Sequence, residues 1–263
     1  MHILEKKIRD AAAAGRYAVI PFLTAGYPDE DAFWKSLADL DQAGADVIEI
    51  GVPFSDPVAD GPVVEEASRQ VLADGWTVAR ILEGLKMRRE IFGAAIVLMG
   101  YMNPFEQYGF ERLAADCAEA GVAGLIVPDL PFEEAAPYRE ALHAKGVALV
   151  ALVGPNTSEE RMKLYAGVSE GYVYVVSVMG VTGERESVAP AIVATMERAR
   201  RCFSLPLALG FGLSRPEQLK ILPATGQPDA AVFGSALLRH LAGGGEAADF
   251  MARWTGEAGR RLD

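Results

Sequence analysis

The segment Asp46-Val-Ile-Glu-Ile-Gly-Val-Pro-Phe-Ser-Asp-Pro-Val-Ala-Asp-Gly-Pro62 passes from a short apolar run into a loop rich in proline and glycine. Val47, Ile48 and Ile50 do not alternate with polar residues, so the run reads as a strand covered on both faces, as in parallel sheets. Seven more such runs punctuate the chain: Tyr17–Leu23, Ala95–Met99, Leu125–Val127, Ala148–Val153, Tyr172–Ser177, Leu205–Leu209 and Ala230–Phe233. Helical stretches lie between them. Val78, Ile81, Leu82 and Leu85 fall at i, i+3, i+4 and i+7 behind Thr77, a good N-cap. Thr157 with Glu160, and Ser214 with Glu217, have capping-box spacing, and Pro216 suits a first helical turn. Strand then helix, eight times over 263 residues, predicts an α/β fold, a (β/α)8 TIM barrel forming one domain over residues 1–263. A doubly wound sheet is the competing arrangement.

The spacing is uneven in one place. Successive runs start about 24 to 33 residues apart, but the second and third are separated by roughly 49. The excess follows the quoted strand, and it predicts an extra short helix at about Val63 to Leu72 before the helix at Thr77. Barrel active sites are built where strands end and βα loops begin, so an enlarged loop there is a functional candidate.

Composition narrows the chemistry. With 51% apolar and 23% charged residues the chain can bury a large core. A net charge of −11 disfavours a polyanionic partner, while leaving room for one phosphate held by backbone amides. Two distant cysteines and three scattered histidines suggest neither a disulfide framework nor a metal site. No apolar run approaches a membrane span and no signal-peptide core follows Lys6, Lys7 and Arg9, so a soluble intracellular protein is expected.

Glu49 is the first candidate for chemistry. A carboxylate inside an apolar strand has its pKa raised by desolvation, the profile of a general acid–base; a buried glutamate tied to a structural partner is the competing reading. Asp56 and Asp60 follow in the loop. Asp60 precedes Gly61-Pro62 and so also suits an Asx-turn. Tyr172 and Tyr174 share a strand face, where packing is the commoner role. Gly180 and Gly183 bracket a segment with the composition of a lid or of a plain surface loop. Gly210-Phe-Gly212 and Gly234-Ser235, each at a strand end before a helix, suit phosphate binding. Neither a Rossmann fingerprint nor a P-loop is present. None of the seven lysines falls at the C-terminal end of a predicted strand, where Schiff-base chemistry needs one. Carboxylate acid–base chemistry on a phosphorylated small molecule remains, without a metal or other cofactor.

At these residues the chain resembles the tryptophan synthase alpha chain family. The match runs through residues 48–62, with support from Pro21-Phe-Leu-Thr-Ala-Gly-Tyr-Pro28, Tyr101-Met-Asn-Pro104, Pro128-Asp-Leu-Pro131, Gly180-Val-Thr-Gly183 and Gly210-Phe-Gly212. The resemblance implies retro-aldol cleavage of indole-3-glycerol phosphate to indole and glyceraldehyde 3-phosphate. It implies Glu49 as catalytic acid–base and Asp60 as the carboxylate that accepts the indole N–H. Tyr174 matches the tyrosine that steadies that aspartate, and Thr182 the lid threonine. Gly183, Gly212, Gly234 and Ser235 match a phosphate cradle. Phe22, Leu152 and Phe211 match walls of an indole pocket. It further implies a cytoplasmic enzyme in an α2β2 tetramer with a beta chain that receives the indole, with Asp56, Pro57 and Asn103 at partner-contact positions. Phe54, Met102 and Phe105 are apolar residues of the same loops, expected either to face that partner or to pack beneath their own loops. Val178-Met179, before the lid glycine, departs from many members. A stand-alone lyase, a non-catalytic activator of the beta chain and another phosphate-binding barrel are the competing functions.

Overall fold

The structure, a computed structural model, describes residues 1–176, 190–210 and 212–256. Its strands are β1 (Ala18–Thr24), β2 (Val47–Gly51), β3 (Ala95–Met99), β4 (Val122–Ile126), β5 (Ala148–Leu149), β6 (Ala151–Val153), β7 (Val173–Val176), β8 (Leu207–Gly210) and β9 (Ala230–Phe233). They pair in parallel in the order β5-β4-β3-β2-β1-β9-β8-β7-β6. β5 and β6 are two pieces of one predicted strand, interrupted only at Val150. The two ends of the order therefore belong to one stretch of chain, and the sheet curls into an eight-stave TIM-type barrel. The Val150 N–H donates to the Leu125 carbonyl at 2.9 Å, tying the break back to β4.

Around the barrel lie α1 (Ile3–Ala13), α2 (Glu30–Gln42), α3 (Pro62–Ala73), α4 (Val78–Met87), α5 (Met102–Tyr108), α6 (Phe110–Ala120), α7 (Ala136–His143), α8 (Glu159–Ala166), α9 (Pro190–Cys202), α10 (Glu217–Lys220), α11 (Ser235–Ala242) and α12 (Ala247–Thr255). α3 is the extra helix expected after the second strand, one residue longer at each end than its prediction. Thr77 caps α4 as its sequence implies, its side chain accepting the Arg80 N–H at 3.3 Å. Two other caps differ from expectation. Ser158 caps α8, while the Thr157 hydroxyl turns back to accept from the Gly154 N–H. At Ser214 the reaching side chain is Gln218, which accepts from the Ser214 and Arg215 N–H groups, and Pro216 sits at the cap of α10 instead of inside its first turn.

α1 has no counterpart among the predicted elements. Its buried residues, Leu4, Ile8 and Ala11, fall at i, i+4 and i+7 and face the N-terminal end of the barrel. Leu4 takes the space that a Cβ at Gly124 or Gly171 would occupy, 2.9 and 3.1 Å from those positions. Lys7 and Arg9 donate to the carbonyls of Gly93 and Ser204, which precede β3 and β8. The helix thus closes the barrel floor and leaves the opposite end for chemistry. Strand register sets which side chains face inward. Phe22 lies beside Glu49, Glu49 beside Val97, and Leu152 beside Tyr174. Among the described residues, no helix is long and apolar enough to cross a membrane.

Candidate active site

Glu49 is the central residue of β2, fully buried inside the barrel. Val47, Ile48 and Ile50 around it are also fully buried, so the apolar run that forms the strand is what strips water from the carboxylate. The Tyr172 hydroxyl donates to Glu49 Oε1 at 2.8 Å, and Oε2 has no hydrogen-bond partner among the described residues. Desolvation dominates over that single bond and pushes the carboxyl up to about 8. The group therefore carries its proton at neutral pH and can return it as pH rises through 8.

Asp60 is reached by a different route. The loop from Gly51 folds back over the end of β3, where Tyr101 precedes α5. The Ala59 N–H donates to the Tyr101 hydroxyl at 2.9 Å, and the Phe54 ring packs on the Tyr101 ring with centroids 5.4 Å apart. Tyr101 also hydrogen-bonds Asp60. Burial raises the Asp60 carboxyl to about 6, with the Tyr101 bond opposing it and Glu65 adding a small repulsion. Asp60 is thus mostly ionised at neutral pH while Glu49 is mostly protonated. Two carboxyls whose surroundings separate their pKa values supply an acid and an anion, both within electrostatic reach of Tyr174. Tyr174, also buried, feels the charges of both, and burial with these two neighbours raises its phenol well above the usual range.

Glycines shape the walls. A Cβ at Gly210 would fall 2.1 Å from the Tyr174 hydroxyl, and one at Gly51 or Gly234 would fall 2.5 or 2.8 Å from the Phe22 ring. Gly210, read from sequence as part of an anion-binding turn, therefore makes room for Tyr174. Gly212 has φ +92°, which favours glycine. Ser235 opens α11, with Gly234 at its cap, so the first N–H groups of that helix lie at the C-terminal end of β9. Leu152 is half-buried beside Tyr174.

The structure decides between the two expectations for one of the apolar loop residues. Phe105 is fully buried against Gly100, so it packs under its own loop instead of facing a partner, and Met102 is half-buried. Asp56 and Asn103 are exposed and Pro57 half-buried, and Asn103 accepts from Gln107 at 2.8 Å. Val58, between Pro57 and Asp60, is 84% exposed. Thr182, Gly183 and Phe211, together with Val178-Met179, lie outside the described residues. Two site residues were missed by the sequence reading, Tyr101 and Tyr172. The first stands in the Tyr101-Met-Asn-Pro104 motif with no role assigned, and the second read as packing. Among the described residues, no group of three or more His, Cys, Asp or Glu side chains is placed to hold a metal ion.

Residues 8–256 match the family model described as tryptophan synthase alpha chain. The tryptophan synthase alpha chain of Desulfovibrio desulfuricans is 65% identical over 254 residues, covering 97% of this chain and 100% of that one. That of Nitratidesulfovibrio vulgaris is 60% identical over 251 residues, covering 95% and 97%. Among solved structures, one of Mycobacterium tuberculosis tryptophan synthase superposes with a TM-score of 0.88 at 34% identity, covering 100% of this chain and 99% of the other. A tryptophan synthase alpha subunit from Legionella pneumophila superposes with a TM-score of 0.84 at 30% identity, covering 98% and 97%.

Proposed function

The chain belongs to the tryptophan synthase alpha chain family, and from that premise we propose that Glu49 and Asp60 divide the chemistry of its reaction between them. The reaction is an aldol-type cleavage of indole-3-glycerol phosphate to indole and glyceraldehyde 3-phosphate. The bond to be broken joins indole C3 to the glycerol chain. Protonating C3 turns the indole into an electron sink with a cationic nitrogen. Glu49 holds the proton for this step because burial keeps it protonated near neutral pH. Asp60, ionised in the same conditions, accepts the indole N–H and opposes the positive charge that develops there. Glu49, now a carboxylate, takes the proton of the glycerol hydroxyl. That oxygen forms the aldehyde carbonyl, the C–C bond breaks, and its electrons return to the ring as neutral indole. Each positioned acid–base group contributes roughly 10²–10⁴-fold.

Phe22 and Leu152 are placed to wall the indole pocket, with Phe211 the third wall by family match. Gly212, Gly234 and Ser235, with Gly183, form the phosphate cradle in this reading, and the N-terminus of α11 supports it by directing N–H groups to the barrel mouth. Tyr174 steadies Asp60 and Thr182 closes the lid. The family implies partnership with a beta chain. We assign that partner to the face carrying Asp56, Pro57 and Asn103, in a cytoplasmic α2β2 assembly, with residues 1–263 forming one domain. The exposed Val58 in the same loop supports this face.

The observation that carries the reading is a fully buried glutamate at the mouth end of β2, beside a loop aspartate of lower pKa. The test is indole release from indole-3-glycerol phosphate by the purified chain, with and without a cognate beta chain, with Glu49→Gln alongside. Slow release alone, stimulation by the partner and loss in the variant are expected. Fast release without stimulation would remove the partner claim, and full activity in Glu49→Gln would remove the acid–base assignment.

A further inference from the structure

We propose that a second site, on the outside of the barrel wall between α7 and α8, binds a small aromatic carboxylate. α7 packs on α6 and α8 packs on α9, but α7 and α8 have little direct contact. A cavity of about 220 Å³ opens between them. Its position follows from the break in the barrel: β4 pairs with β5 only at Gly124 and Leu125, and the chain then passes through Val150 into β6, which pairs with β7 instead. Leu149 and Ala151 flank that break and point outward, opposite to Val150 and Leu152, so they floor the cavity. The site lies on the outer side of the stave that carries Val150 and Leu152, which also contribute to its lining, and it does not rest on the catalytic reading above.

The lining defines the ligand. Phe132 and Tyr165 stack with ring centroids 4.5 Å apart and 24° between planes, giving one aromatic wall. The loop 128–131, whose Pro128-Asp-Leu-Pro131 motif the catalytic reading leaves unused, supplies the roof. Two guanidinium groups stand at the rim and they are not equivalent. Arg161 is committed, pairing with Glu133 through both nitrogens at 2.8 and 3.0 Å and donating to the Tyr165 hydroxyl at 3.1 Å. Arg139 lies 5.9 Å from the centre of the Phe132 ring and has no ion-pair partner among the described residues. An unpaired fork of N–H donors beside an apolar, aromatic-walled cavity matches a carboxylate in the bidentate geometry that arginine favours. Of the two, only Arg139 is without an ion-pair partner among the described residues, and Glu133 stands beside the other, so a monoanion suits the rim better than a phosphate dianion. The cavity is smaller than the roughly 300–1,000 Å³ of sites for drug-sized molecules, which limits the ligand to about one bicyclic ring system.

The test is titration of the full chain with 1-naphthoate and with uncharged 1-naphthalenemethanol, followed by saturation-transfer NMR and calorimetry. Wild type, Arg139→Gln and Ala151→Leu are compared, each checked for folding by circular dichroism. Wild type is expected to prefer the carboxylate by about tenfold, the effect of one charge-assisted pair. Arg139→Gln should erase that preference and leave the alcohol unaffected. Ala151→Leu should weaken both ligands by filling the floor. No naphthoate binding at millimolar concentration, or binding unchanged in both variants, would overturn the site. Loss of binding in Ala151→Leu with the preference intact in Arg139→Gln would overturn the carboxylate assignment. Should Ala151→Leu fail to fold, the half-exposed Arg139 still decides the matter, because its replacement leaves the core untouched.

Discussion

Replacing Glu49 with glutamine should stabilise the barrel, by an amount that grows with pH. The folded chain holds the Glu49 proton up to about pH 8, whereas the unfolded chain releases it near the ordinary value of 4.5. Between these two values the unfolded state binds fewer protons, so stability falls as pH rises. The cost is under about 1 kcal/mol at pH 5, about 3 kcal/mol at pH 7, and levels off near about 5 kcal/mol above pH 9, at 1.36 kcal/mol per pH unit. Glutamine does not titrate, has nearly the same volume, and keeps an oxygen to accept from the Tyr172 hydroxyl. Any difference in packing between the two proteins is therefore independent of pH and drops out of the comparison. Asp60 and the other titrating groups are common to both. Urea unfolding of wild type and Glu49→Gln at pH 5, 7 and 9 gives the three differences. The expectation is a variant progressively more stable than wild type, gaining several kcal/mol between pH 5 and pH 9. A difference that stays constant to within about 1 kcal/mol over that range would show that Glu49 is solvated or paired in the folded protein, and the argument from burial would fail.

Three further outcomes follow from the same geometry. Tyr172→Phe removes a bond that favours the Glu49 carboxylate, so its pKa should rise above about 8 and carry the alkaline limb of the kcat/KM profile upward. A merely structural role for Tyr172 would lower activity at all pH values alike. Tyr101→Phe removes the bond that favours ionised Asp60, so the acid limb should move up from about 6 by roughly one pH unit, with greater loss of activity at pH 6 than at pH 8. Gly210→Ala places a Cβ 2.1 Å from the Tyr174 hydroxyl and must displace that ring. Its expected effect is about 1–3 kcal/mol of lost stability, measured by urea unfolding, with a larger proportional loss in kcat/KM.

Much of the fold was legible because parallel strands covered on both faces leave continuous apolar runs. Ala95–Met99 and Ala230–Phe233 were read with the bounds that the structure gives them, and the long interval after β2 was filled as its length required. What stayed hidden depended on partners distant in sequence. The run Ala148–Val153 is apolar throughout, and only closure of the barrel divides it at Val150. α1 buries just Leu4, Ile8 and Ala11 among five charged residues, so its role as the barrel floor appears only once Gly124 and Gly171 stand opposite it. Thr157 and Ser158 both offer a capping hydroxyl, and the sequence alone does not say which one the turn at Gly154 claims.

The site divides along the same line. Glu49 was readable because an acid within an apolar strand conflicts with the local pattern, and such conflicts concentrate where function overrides stability. Tyr172, 123 positions away, shows no such conflict, because a tyrosine on a strand face is ordinary. Its hydroxyl acquires meaning only from the carboxylate that the barrel brings to it. The same holds for Tyr101, which takes the Ala59 N–H and a bond to Asp60 from a loop that precedes it by about 40 residues. Both tyrosine bonds favour the charged form of their carboxyl, opposing burial without cancelling it. The separation between about 8 and about 6 arises from how deeply each carboxyl is buried: Glu49 is carried inside by a strand, and Asp60 is held at the mouth by a loop. A barrel that places one acid on a stave and the other on the adjoining loop thereby obtains an acid and an anion from two chemically similar side chains.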